Sequence, residues 1–93
     1  MSLLGSFIKQ PAETESYSIT YEDDLTTGDN VESAVATVAP VGLTVETPVV
    51  DDPMVRMWVS GGTNGVTYKI TVTTTTADGR ILQDEFRVKV KDL

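Results

Sequence analysis

An antiparallel β-sandwich is the fold class that this 93-residue sequence predicts, on three observations. First, Val66, Tyr68, Ile70 and Val72 alternate with Thr67, Lys69, Thr71 and Thr73, and Phe86, Val88 and Val90 alternate with Arg87, Lys89 and Lys91. Period-two patterning rich in β-branched residues puts one row of side chains in a core and the other in water. Second, Asp78-Gly79 lies between the two runs, and a glycine there supplies the positive φ that a hairpin turn needs. Third, no segment shows a sustained helical period, turn residues recur throughout, and the length accommodates about seven strands of ordinary size.

Residues 1–12 carry Leu3, Leu4, Phe7 and Ile8 before Gln10-Pro11. They read as an N-terminal arm or edge strand, because Pro11 removes a ladder donor; residues 13–93 read as one sandwich domain. Tyr17, Ile19 and Tyr21 share a face of the next strand, followed by a polar connection from Glu22 to Asn30 around Leu25. The stretch from Asn30 to Ala39 reads as a strand with Val31, Ala36 and Val38 inward. Its broken alternation predicts a bulge near Ser33-Ala34-Val35. Pro40-Val41-Gly42 turns the chain into a strand that faces Leu43 and Val45 inward, and Val49-Val50 forms at most a short strand before Asp51-Asp52-Pro53. From Met54 to Ser60, Val55, Met57 and Val59 share one face and Arg56 and Trp58 the other. If the valines and Met57 fill the core, Trp58 points outward as an interface anchor; a bulge would bury it instead. Gly61-Gly62-Thr63-Asn64-Gly65 then leads into the hairpin, and the threonines from Thr73 to Thr76 read as an exposed strand end.

The chain has no His and no Cys. That excludes disulfides, thiolate metal sites, and every Ser-His or Cys-His nucleophile pair. Its net charge of −7 is uneven. Residues 1–53 hold ten acids and one base, and residues 54–93 hold six bases and four acids. An acidic chain repels phosphate backbones, so no nucleic-acid partner is expected. The asymmetry can orient subunits against one another. No apolar stretch has the length of a membrane span, and the N-terminus lacks the basic start and long apolar middle of a signal peptide, so no membrane partner is expected.

Few constellations invite chemistry. Glu22-Asp23-Asp24 with Asp29, or Asp51-Asp52, offers oxygen ligands for calcium. Neither has the spaced acids and glycine of a calcium loop, and both read as solvated loops, so no metal is expected. No pair of carboxylates is placed for glycoside hydrolysis, and a thin sandwich offers little cleft for a sugar. The Gly61–Gly65 segment lacks the Lys-Ser/Thr and helix of a phosphate loop, so its glycines serve turn geometry and no cofactor is expected.

Taken in order, these runs resemble the fiber-tail adaptor family of tailed phages and prophages. The resemblance lies in Tyr17-Ser18-Ile19-Thr20-Tyr21-Glu22 before an acidic loop, in Gly28-Asp29-Asn30-Val31, in Ala36-Thr37-Val38 and in Gly42-Leu43-Thr44. It is densest from Met57-Trp58-Val59-Ser60 through Gly61-Gly62-Thr63-Asn64-Gly65-Val66-Thr67-Tyr68, and continues through Thr71–Thr75 and Asp78-Gly79-Arg80 to the basic last strand. It implies an immunoglobulin-like sandwich and a non-enzymatic virion protein of the tail or head–tail region, assembled in the host cytoplasm. The implied partners are other phage structural proteins and further copies of the chain. The candidate interface residues are Leu4, Phe7 and Ile8 on the arm, which would add to a neighbour's sheet edge, and Arg56 and Trp58. The family often has a Trp where this chain has Ala36, so Met54, Met57 or Trp58 is expected to fill that space. The competing reading is a bacterial immunoglobulin-like module that binds protein or glycan. It would need an exposed row of aromatics, and Trp58, Tyr17, Tyr21 and Tyr68 do not obviously cluster in the sequence. Nothing argues for a small hydrolase.

Overall fold

The computed structural model describes residues 2–22 and 25–92, with side chains from residue 5 onward. Eight strands run in order among these residues: β1 (Ser2–Lys9), β2 (Thr14–Thr20), β3 (Val31–Ala39), β4 (Leu43–Val45), β5 (Val49–Asp51), β6 (Met54–Gly61), β7 (Thr67–Thr76) and β8 (Ile81–Val90). One sheet has the order β1-β8-β7-β3; the other is β2-β6-β4, with β5 also paired to β6. The chain is therefore all-β with two sheets. β4 and β5 pair with successive parts of β6, and Glu46-Thr47-Pro48 separates them; this interruption raises the strand number above that expected from length. One pair departs from the antiparallel expectation: β1 runs parallel to β8. The strand order β2-β6-β4 against β3-β7-β8 is compatible with the B-E-D and C-F-G sheets of an immunoglobulin-like domain.

The alternation seen in the sequence fills the space between the sheets. Ile19, Tyr21, Val55, Met57 and Val59 meet Tyr68, Ile70, Val72, Phe86, Val88 and Val90, with Leu43 and Val31 completing the buried cluster. Val45, Val38 and Ala36 are half-buried against it. The β3 bulge falls between Val31 and Ser33, slightly ahead of its expected place, and it changes the inward phase from Val31 to Ala34, Ala36 and Val38. The hairpin turn closes with Gly79 N–H donating to the Thr76 carbonyl at 3.0 Å and Thr76 N–H to that of Arg80 at 2.9 Å. Gly79 has φ +88°, as a turn followed by a left-handed glycine requires.

The threonine run is not an exposed strand end. Thr74 and Thr76 are buried, because the inward register of Ile70 and Val72 simply continues. The Thr74 hydroxyl donates to the Tyr21 hydroxyl at 3.0 Å, which satisfies a polar group that would otherwise be costly inside. Near the start of β7, Thr63 N–H donates to the Tyr68 hydroxyl at 2.9 Å. This resembles the tyrosine corner of immunoglobulin-type sandwiches.

Asp29 latches the β7–β8 turn to the loop before β3. Its Oδ1 accepts from Asn30 N–H at 2.9 Å and from Asp78 N–H at 3.0 Å. Desolvation pushes its pKa up, but the Asp78 and Asn30 N–H groups, the Thr76 hydroxyl and the Arg80 charge outweigh it and hold the carboxyl below its ordinary value of 3.8. A carboxyl held lower in the folded state stabilises above its unfolded value, and that contribution is lost as pH falls through the folded value. Acid titration of thermal stability is expected to show a loss starting near pH 3.8, and Asp29→Asn is expected to flatten that part of the curve. An unchanged acid limb in the variant would assign the loss to other carboxylates.

Candidate functional site

The outer face of the β2-β6-β4 sheet carries two of the expected interface residues. Val55, Met57 and Val59 are fully buried, so strand alternation turns Arg56 and Trp58 to solvent, and Trp58 is 47% exposed. Ser16 lies opposite Trp58 and Ser18 opposite Arg56 on β2, while Val49 lies opposite Arg56 on β5. The Arg56 guanidinium Nε donates a long hydrogen bond to Ser18 Oγ at 3.5 Å. Small hydroxyl side chains on the flanking strand leave Trp58 about half open to solvent, on the same outer face as Arg56 and the exposed Val49. The main chain beneath is fixed: Glu46 N–H donates to the Trp58 carbonyl at 2.9 Å.

Phe7 and Ile8 lie elsewhere, on β1 at the edge of the other sheet. Their side chains point to opposite sides. Phe7 turns inward and packs on Tyr17, with ring centroids 5.0 Å apart, and edge-on to Phe86 at 6.0 Å. Tyr17 and Phe86 are 5.2 Å apart, so the three rings close the sandwich edge between β1 and β2. A cleft of about 210 Å³ opens there, lined by Phe7, Ser16, Tyr17, Ser18, Ile19 and Phe86. Burial, then the charges of Glu15 and Glu13, push the Tyr17 hydroxyl pKa up, so it stays a neutral donor. Ile8 faces out and is 64% exposed. The Leu3 and Leu4 side chains lie outside the described residues. Of the expected residues whose side chains are described, Arg56 and Trp58 thus share one outer face, while Phe7 and Ile8 lie on the other sheet, Phe7 inward and Ile8 outward.

Lys9 was not singled out in the sequence, although the alternation that turns Phe7 inward also turns Lys9 inward. It is fully buried, and its Nζ donates to the Gly61 carbonyl at 2.6 Å, the Gln10 carbonyl at 2.7 Å and, more weakly, the Pro11 carbonyl at 3.4 Å. Lys9 thereby ties the end of β1 to the end of β6 in the opposite sheet. Removing a charged donor from these carbonyls costs about 1.5–3 kcal/mol, so Lys9→Met is expected to lower the unfolding free energy by that amount, read as a lower denaturant midpoint at unchanged slope. A neutral result would mean that water replaces the ammonium.

The aromatic side chains do not form an exposed row. Tyr21 and Tyr68 are buried, Tyr17 is half-buried, and Trp58 stands on the far side of its sheet from them. Trp58 also does not fill the space beside Ala36, since it faces solvent while Met57 packs in the core. A groove of about 140 Å³ remains there, lined by Val35, Ala36, Val45, Glu46, Thr47 and Pro48. Among the described residues, no three acidic side chains gather to hold a metal.

No curated protein matches the chain. A family model does, described as "Podophage GP4 fiber-tail adaptor protein gp77", and it matches residues 9–89. The matched span starts at the buried Lys9 and takes in β2 through nearly all of β8. With two facing β-sheets and residues 9–89 of its length matched, this chain belongs to the podophage fiber-tail adaptor family.

Proposed function

We propose that this protein is a non-enzymatic connector of the phage tail region that works through protein–protein contacts made by the Arg56–Trp58 face and the β1 edge. The observation that carries this reading is the exposed Trp58 beside Arg56 on a rigid strand whose opposite face is fully buried. Trp and Arg are the residue types most enriched among interface hot spots, and a partner gains most where the anchor is already held in place. On the other sheet β1 is an edge strand, available for strand addition by a neighbour. In this reading residues 1–12 are the bridging segment and residues 13–93 the body. The protein binds other structural proteins and its own copies, in the virion and, during assembly, in the host cytoplasm.

Immunogold electron microscopy of intact phage particles, with antibody against this protein, tests the reading. Label at the tail or neck is expected; intact particles that never label would remove it. Within that framework Trp58→Ala is expected to change stability by less than about 1 kcal/mol, because the ring covers no core. Its incorporation into particles is expected to fall about tenfold or more. A large loss of thermal stability in the isolated variant would instead make Trp58 a folding residue.

A further inference from the structure

In the fold, exposed cations cluster at one end of a sheet face and most loop carboxylates gather at the other, although Arg80 stands at the carboxylate end and Glu13 and Asp92 at the cation end. On the outer face of the β1-β8-β7-β3 sheet, Lys69 on β7 lies directly opposite Arg87 on β8, and Thr67 lies opposite Lys89. All three cations are exposed. Like charges directly opposed on a sheet destabilise it, and the nearby Glu85, 3.8 Å from Lys69, offsets only part of this charge. On β1, Ser6 and Ile8 pair with Arg87 and Lys89, so the exposed Ile8 adds an apolar contact beside the cations.

The other end of the strands is acidic. Val31, the first residue of β3, pairs with Thr76, the last of β7, and its N–H donates to Asp52 Oδ1 at 2.8 Å. Asp51 pairs with Met54, which in turn pairs with Thr20, the last residue of β2 before Glu22. The Asp78 turn joins β7 to β8 at this end. Glu22, Glu32, Asp51 and Asp78 are all exposed there. From Lys69 to Thr76 the strand advances about 23 Å, well beyond the screening distance of about 8 Å at physiological salt. A ten-residue strand is longer than either short dimension of this 44 × 20 × 19 Å molecule, so the charge separation follows the long axis.

We propose that the basic end of this sheet face, Lys69, Arg87 and Lys89 with Ile8, docks the acidic loop end of a second copy, head to tail. A neighbour's carboxylates would relieve the repulsion between Lys69 and Arg87, and the two surfaces are complementary rather than identical. Such a heterologous contact closes into a ring or extends as a stack. This inference rests on the self-association included in the adaptor reading and names the surfaces that perform it.

Sedimentation of the purified chain at low and high salt tests it, using two double variants: Arg87→Glu with Lys89→Glu, and Glu22→Lys with Asp51→Lys. Thermal unfolding first verifies that both variants fold. Wild-type association that weakens with salt is expected, and each variant alone is expected to associate about tenfold more weakly or less. An equimolar mixture should recover association, because each variant keeps the surface that the other has lost. A wild type that stays monomeric, variants that associate as the wild type does, or a mixture that stays dissociated would overturn the contact. Particle labelling by antibody is independent of these results, so tail label together with no charge-dependent association would sink this contact while leaving the adaptor reading standing.

Discussion

Phe86→Ala is expected to lower folding stability by about 3–5 kcal/mol, the range for deleting a buried aromatic side chain. Phe86 is 2% exposed, pairs across the hairpin with Ile70, and meets both Phe7 and Tyr17. Its removal therefore takes contacts from three strands, β1, β2 and β7. A domain of this size has only about 5–15 kcal/mol of net stability, and each kcal/mol moves the melting temperature by about 4–8 °C.

The site also decides where in that range the value falls. The Phe86 ring borders the cleft that Phe7 and Tyr17 line, and Phe7 is only partly buried. Phe7 can settle into the vacated space, so the lower end is expected, and the cost depends on how well the site collapses. In a Phe7→Ala background that relief is absent. If the Phe86→Ala penalty is no larger in that background, the two rings do not share the site as described. Hydrogen exchange offers a second readout: Phe86→Ala should speed exchange in β1, which pairs with β8, more than in β3, which stands two strands away. A loss below about 1 kcal/mol would place Phe86 outside the core.

The sequence exposed the parts of this fold that depend on alternation, and it was less informative where registers meet. Both halves of the hairpin and the inward rows of β2 and β6 follow from period-two patterning against water, whereas the outward turn of Trp58 was settled only by β6 running without a bulge. The fate of Thr74 and Thr76 did not follow. Threonine is polar, and only the position of Tyr21 in the facing sheet reveals that a hydroxyl partner awaits Thr74. Lys9 escaped for the same reason: its burial depends on the carbonyls of Gly61 and Gln10 converging on one point, which no local pattern encodes. The candidate interface was legible as a set of residue types. Its division between two sheets was not, because β1 joins β8, its most distant strand in the chain, in a parallel pair. Likewise the charge imbalance was countable in the sequence, but only strand register set Lys69 opposite Arg87 and gathered most loop carboxylates at the other end.

Gly62→Ala is expected to cost about 3 kcal/mol, with contributions from both backbone strain and overpacking. Gly62 has φ +98°, and a Cβ built there would lie 2.5 Å from Val90 Cγ2, 3.1 Å from Leu43 Cδ1 and 3.4 Å from Tyr68 Cε2. None of the three is a flexible surface end: Val90, Leu43 and Tyr68 are all buried, so a close-packed core would have to shift. The next residue, Thr63, donates the hydrogen bond that holds the Tyr68 hydroxyl, and displacement of Tyr68 would weaken that corner too. Gly79→Ala separates the two contributions. Gly79 has a similar φ of +88° but nothing within 4 Å of its Cβ position, so its alanine variant carries the strain without the collision, about 1 kcal/mol. The unfolding free energies of the two variants, obtained from denaturant curves measured side by side, should therefore differ by about 2 kcal/mol. Equal losses would mean that the ends of β4 and β8 give way easily around Gly62, and that the glycine answers to its turn geometry alone.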